Sequence, residues 1–312
     1  MKLTRLALIA LAAFTVATGS ASAQIEPSDH AVPGDVAEAE TSENVVVNAA
    51  SLQEMVREFV GEVSEAGQLD QLGRWDRTIC PGVAGMRQHY AQVLIDRIAQ
   101  IALTVGLQVG EPGCSPNVLI YVTENSDLLA HELVTQHGAL VSRRHTHGNT
   151  RGRDALRDFA TTPRTVRWWH VTRTHSGDGF AVGQGESVRV REASRLRRGT
   201  REDFDRVLII IDARRIHGYR FGAVADYVAM SALAQIDPDS ETRGFETILN
   251  LFDDGAEPRP RTITEWDLAY LDGLYHMTRD ANDDGRQRAD IARRMRRQVD
   301  AQPAPGAEPA PQ

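Results

Sequence analysis

The sequence predicts an α/β or α+β fold in which a mixed sheet is covered by helices. Three observations carry that expectation. Residues 117–123 (NVLIYVT) and 206–212 (RVLIIID) are short, nearly unbroken apolar runs, the pattern of strands buried on both faces. Between 86 and 107, Tyr90, Leu94, Ile98, Ile101 and Val105 recur every three to four residues, as on one face of an amphipathic helix. Residues 221–236 form a second helix whose apolar surface is broader than one stripe, so it belongs in the interior. Helices on both faces of a sheet are the packing that buries such strands.

The remaining elements follow in order. Ser51-x-x-Glu54 matches a capping box, and Leu52, Val56, Phe59 and Val63 continue behind it at helical spacing. Gly67 and Gly73 mark a turn, and Gly106 and Gly110 close the 86–107 helix. Ser126 and Asp127 cap a helix that runs to about His137. Residues 143–153 (RRHTHGNTRGR) hold no large apolar side chain and predict an exposed basic loop. Residues 165–174 (TVRWWHVTRT) predict a strand, which sets Trp168 and Trp169 on opposite faces. One is expected in the core, and the other either there or open to a sugar or protein partner. Further strands in the Arg/Gly-rich middle are expected to extend the sheet as antiparallel members. Helices are predicted at 246–252, 264–275 and 285–297, with Thr264 as a cap and Glu265 and Asp267 in a first turn that favours acids.

The two ends of the chain differ in composition from its middle. Lys2 and Arg5 precede the apolar run 6–16, and Ala21-Ser22-Ala23 follows it. This is the three-part pattern of a signal peptide over 1–23, cleaved after Ala23. The run is too short to span a bilayer, so no transmembrane segment is expected in the mature chain. The first cysteine is Cys80, so there is no lipid-attachment cysteine behind the signal. The expected location is the periplasm or the exterior. Residues 24–44 are acidic and are expected to be a disordered linker, and 299–312 a disordered Pro/Ala-rich tail. A single globular domain is expected over 45–298. Cys80 and Cys114, each flanked by Pro and Gly, predict one disulfide in an oxidising compartment.

The net charge is −8, and removing Lys2 and Arg5 with the signal leaves −10. That balance argues against a nucleic-acid partner. Lys2 is the only lysine. Residues 143–220 nevertheless carry 18 Arg against 9 Asp/Glu, a local surplus that marks a binding face for an anionic surface or partner. Within it, Arg143, Arg144, Arg151 and Arg153 surround His145 and His147. No acid or cysteine beside those histidines completes a metal site.

Other motifs fall short of a catalytic set. His131-Glu132 begins like a zinc-protease helix, but the partner His must lie four residues on, and Thr135 holds that slot. His137 is six residues on, about 240° around the helix. Asp280-x-Asn282-Asp283-Asp284-Gly285 begins like a calcium loop, but the twelfth position is Ile291, so a helix-capping turn is expected. Gly177-Asp178-Gly179 neither follows an apolar strand nor opens a helix, and Gly185-Glu186-Ser187 lacks the closing glycine of a nucleophile elbow. No metal or cofactor is predicted.

Residues 225–275 resemble the C-terminal half of a family of exported bacterial proteins with a zincin-like, metzincin-related core. The matching pieces are the helix Asp226-Tyr227-Val228-Ala229-Met230-Ser231-Ala232-Leu233, the block Ile248-Leu249-Asn250-Leu251-Phe252, and Thr264-Glu265-Trp266-Asp267 with Leu271, Leu274 and Tyr275. The resemblance implies a metal helix opening with His-Glu. Here those positions hold Asp226 and Tyr227, and the next-turn ligand position holds Met230, so it implies a degenerate zincin-like core without its metal. Arg74-Trp75-Asp76-x3-Cys80-Pro81 and Cys114-x-Pro116-Asn117 are also similar to a group of exported alphaproteobacterial proteins, a resemblance that implies no activity.

The expected function is therefore an exported, non-catalytic protein that binds an envelope component or a protein partner. The alternative is a hydrolase whose site assembles from His131, Glu132, His217 and Asp226.

Overall fold

Strand β4, Thr200–Asp212, is the strand on which the rest of the sheet is organised. The computed structural model describes residues 51–141, 150–183, 186, 195–256 and 258–300. The predicted signal peptide, the acidic linker and the Pro/Ala-rich tail from residue 301 on lie outside the described residues, while residues 299 and 300 belong to the last helix. Arg143, Arg144, His145, His147, Gly185 and Ser187 also lie outside the described residues.

The other strands are β1 (Pro81–Ala84), β2 (Val118–Thr123) and β3 (Val166–Ser176), in the order β1-β2-β4-β3. β1–β2 and β2–β4 are parallel, and β3 runs antiparallel to β4, pairing Trp168 with Ile209. The sheet is mixed, as expected. β1 falls where the sequence suggests a turn. Proline is tolerated at the first residue of an edge strand, which is where Pro81 sits.

Helix α1 runs through residues 51–63. It is followed by α2 (Gln88–Thr104), α3 (Ser126–Thr135), α4 (Arg153–Thr161), α5 (Phe221–Leu233), α6 (Glu265–His276) and α7 (Asp284–Asp300). A 3-10 turn, Ile248–Phe252, replaces the expected helix at 246–252, and α7 continues past the expected boundary at 298. α4 is not among the predicted elements. Only Leu156, Phe159 and its alanines give it an apolar side.

The helices cover both faces of the sheet. On one face, Leu94 and Ile98 of α2 and Val224 and Val228 of α5 pack with Val118, Ile120, Val207 and Ile209. α1, α6 and α7 extend this core, where the Phe59 ring meets Phe245, Trp266 and Tyr270 edge-on at 5.3–5.9 Å. On the other face, Leu133 of α3 and Phe159 of α4 pack with Trp169, Val171, Leu208 and Ile210. Both tryptophans are therefore buried, one in each core. Trp168 Nε1 donates to Ile236 O (3.0 Å) and Trp169 Nε1 to Val141 O (3.2 Å). Neither is an exposed contact residue, because helices cover both faces of β3.

A bulge between Val171 and Thr172 leaves Asp205 without a register partner and sends the lower half of β4 to the opposite face. Phe204 thus joins the larger core, edge-on to Trp75 at 5.4 Å, although strict alternation would place it with Leu208. Trp75 Nε1 in turn donates to Ala232 O of α5 (2.9 Å).

The predicted disulfide joins Cys80, just before β1, to Cys114 in the loop before β2, with the Cα atoms 6.1 Å apart. The predicted cap at α6 is a full capping box. Thr264 Oγ1 accepts from Asp267 N (3.1 Å), and Asp267 Oδ2 accepts from Thr264 N (2.9 Å). Asp283 Oδ1 accepts from Arg286 N (2.8 Å), so the calcium-like stretch caps α7.

Candidate functional site

The four hydrolase candidates do not converge. His131 and Glu132 sit on α3, over the face that holds Trp169, whereas Asp226 sits on α5 over the opposite face. His217 is exposed in the turn after β4. Asp226 is buried, and its two oxygens accept from Arg97 Nε and Nη2 (the latter at 3.1 Å), Thr262 Oγ1 (2.7 Å) and Ile263 N (2.7 Å). Three of those four bonds are to Oδ2 and one to Oδ1, so the carboxylate is committed to the fold. Tyr227 and Met230, on the same helix, are taken up by packing. Tyr227 meets Trp168 at 6.0 Å and Phe252 at 4.8 Å, and Met230 is wholly buried. Among the described residues, no group of three His, Cys, Asp or Glu is placed to hold a metal ion.

Among the described residues, most arginines of 143–220 pair with an acid. Arg164 bridges Asp158 and Asp239, Arg167 reaches Asp127, and Arg206 pairs with Asp205. Arg201 and Arg279 each touch both Asp76 and Asp203, closing a four-membered ring of charges at 2.5–3.0 Å. Burial opposes ionisation of Asp76, yet Arg279 and Arg201 hold its carboxyl below the usual range. Arg74 sits behind this ring, and burial together with the nearby Arg279 brings it down to about 10. Arg151, one of the predicted anion-binding residues, also has acidic neighbours. Its Nε lies 2.9 Å from Glu65 and its Nη2 3.7 Å from Asp237. Among the described residues, acids from inside the stretch and from distant parts of the chain thus engage many of its arginines.

Arg153 is different: it makes no ion pair among the described residues. It opens α4 and faces a cavity of about 750 Å³ between α3 and α4. Each helix contributes one stripe at three- and four-residue spacing, His131, Val134 and Thr135 from α3 and Arg153, Leu156, Arg157, Ala160 and Thr161 from α4. Val141, Thr150, Gly152 and Gln68 are the other lining residues among those described. Gly152 has φ 102°, a left-handed entry into α4, and a Cβ there would lie 3.1 Å from Gln68 Nε2. Two sequence-selected groups, His131 and Arg153, therefore meet at one cavity.

The chemistry of this lining is that of binding. Val134, Val141, Leu156 and Ala160 supply apolar surface, and Arg153 and Arg157 supply positive charge. The one ion pair of Arg157, with Asp154, is exposed on both sides and contributes little. The Thr135 and Thr161 hydroxyls donate to their own helices, at His131 O (2.8 Å) and Arg157 O (2.9 Å). Among the described lining residues there is no carboxylate or thiol beside His131. A larger hollow of about 870 Å³ over 243–265 gathers none of the hydrolase or anion-binding candidates among the described residues, and its Arg243 is held by Asp253.

Comparison with protein-family models, curated proteins and solved structures finds no match for this chain.

Proposed function

We propose that this is an exported, non-catalytic binding protein that takes an anionic ligand with an apolar body into the α3–α4 cavity. The observation that carries the reading is the meeting of Arg153 and Arg157 over the apolar floor of Val134, Val141, Leu156 and Ala160. A volume of about 750 Å³ suits a small ligand, and a few convergent polar groups in an apolar hollow are the usual form of such sites. Export to the periplasm or beyond is supported by the signal-like pattern of 1–23 and by the Cys80–Cys114 disulfide. No helix among the described residues is long and apolar enough to cross a membrane. We infer further that the scaffold is zincin-like with its metal helix filled in. What supports this is α5 following the central strand β4, with Asp226 bound to Arg97 and Met230 in the core at the ligand positions.

The test is titration of the mature protein with cis-parinaric acid, a fluorescent carboxylate, beside its methyl ester. Saturable one-to-one binding of the acid is expected, about tenfold weaker in Arg153→Ser and blocked by Leu156→Arg. Equal binding of acid and ester, or no saturable binding, would overturn the reading.

A further inference from the structure

Helices α1 and α7 face each other in opposite directions, since Arg296 Nη1 donates to Gln53 Oε1 (3.2 Å) and Arg288 Nη2 to Ser64 O (3.1 Å). Between them lies a trough of about 420 Å³. Its walls are guanidinium groups, Arg57 from α1 and Arg288, Arg293 and Arg296 from α7. Its floor is small, formed by Gly61, Ala289 and Ala292, and a Cβ at Gly61 would meet nothing within 4 Å. The sequence spacing makes the trough. Gln53, Arg57 and Gly61 are four apart on α1, as are Arg288, Ala292 and Arg296 on α7, so each set lies along one stripe of its helix.

No carboxylate lines the trough among the described residues. Arg57 makes no ion pair among them. The α7 arginines pair only within their own helix, Arg288 with Asp284 (2.9 Å), Arg293 with Asp290 (2.8 Å) and Arg296 with Asp300 (3.8 Å). The guanidinium side of each pair is about one-third exposed or more, so these arginines can turn to an anion that engages several of them together. Arg288 also keeps a buried Nε with no hydrogen-bond partner.

Four guanidinium forks around so small a space favour an anion with many oxygens and more than one charge. A carboxylate offers two oxygens, whereas a phosphate offers three terminal ones and is bound bidentately by arginine. We infer that the α1–α7 trough is a binding site for a multiply charged phosphate, either a diphosphate or closely spaced phosphomonoesters. The inference is independent of the α3–α4 cavity, which is built from other elements.

Calorimetry of the mature protein with inorganic pyrophosphate tests it. One-to-one binding is expected, weakening as salt rises and at least about tenfold weaker in the Arg57→Gln/Arg296→Gln double variant. Arg297→Gln, which removes an exposed charge outside the trough, and Arg153→Ser are expected to bind as the parent does. Co-sedimentation with phosphatidic acid vesicles, lost in the same double variant, assigns the phosphate to a lipid headgroup. Pyrophosphate binding without vesicle binding assigns it to a free anion. No heat at millimolar pyrophosphate, or binding that survives the double substitution in a folded protein, overturns the inference. Binding lost in Arg153→Ser instead also overturns it, because the anion would then sit in the other cavity.

Discussion

His170 on β3 donates from Nε2 to the carbonyl oxygen of Ser231 on α5 across 3.0 Å, inside the larger core. Since Ser231 O can only accept, the bond fixes the Nε2–H tautomer. The ring also stacks on Phe204 with centroids 4.7 Å apart. Burial drives the imidazole down to about 3, with the Ser231 bond opposing only in part.

That burial makes the protein acid-labile in a defined window. In the unfolded chain His170 titrates near 6.5, so between pH 6.5 and about 3 the unfolded state holds the extra proton. Stability from this group is full above pH 6.5 and is lost as pH falls towards 3. The expected loss at pH 5 is about 2 kcal/mol relative to pH 7.5. Urea unfolding across pH 4–7.5 measures it. In His170→Gln the midpoint at pH 7.5 should be lower, but its decline with acid shallower. A parallel decline in both proteins would refute the assignment.

Reduction of Cys80–Cys114 should destabilise the sheet edge. The bond closes a loop with sequence separation 34 that contains β1 and α2. On the chain-entropy argument its loss costs about 3–4 kcal/mol. Calorimetry of a Cys80→Ser/Cys114→Ser variant should show Tm lower by roughly 10 °C. A shift within a degree or two would mean the two loops are held by other contacts.

Asp226 is expected to be structural. Asp226→Asn replaces a carboxylate that accepts four hydrogen bonds, so a cost of about 2–3 kcal/mol is expected. In an Arg97→Gln background the same change should cost less, because part of the loss is the ion pair. Denaturation of the four proteins of this cycle gives the coupling. Additive effects would show that Arg97 and Asp226 are energetically independent.

Thr264→Ala should cost about 1 kcal/mol by removing the cap of α6. The damage extends beyond the helix end. Asp267, whose burial raises its pKa, also accepts from Thr247 Oγ1 (2.5 Å) and Ile248 N (2.8 Å). Hydrogen exchange at the amides of Ile248 and Leu249 should therefore speed up along with the first turn of α6. Exchange confined to α6 would separate the two.

What the sequence made legible was what burial writes into it. β2 and residues 207–211 of β4 are apolar runs because helices cover both faces of the sheet there, whereas α2 is periodic because one of its faces is buried and the other is open. β1 and α4 were not legible. β1 is four residues at an edge, opening with Pro81-Gly82, and α4 has little apolar surface beyond Leu156 and Phe159. His131 and Arg153 could each be singled out by residue type, but their meeting depends on how α3 packs beside α4. The pairing of Arg279 with Asp76, and of α1 with α7, joins residues far apart in sequence, and no local pattern records such contacts. The disulfide and the capping box were legible because cysteine count and cap spacing are themselves local signals.

The position of β4 in the chain has a consequence for the order of events during folding. β2 and β3 each form a ladder with β4, and Val118 must find Val207 across roughly ninety residues. Neither ladder can close until Asp212 has been delivered. If the chain crosses a membrane amino end first, β1, α2 and β2 emerge with their apolar faces uncovered and wait there for the strand that completes the sheet. The interval is one in which a holding chaperone would matter and in which aggregation competes with closure.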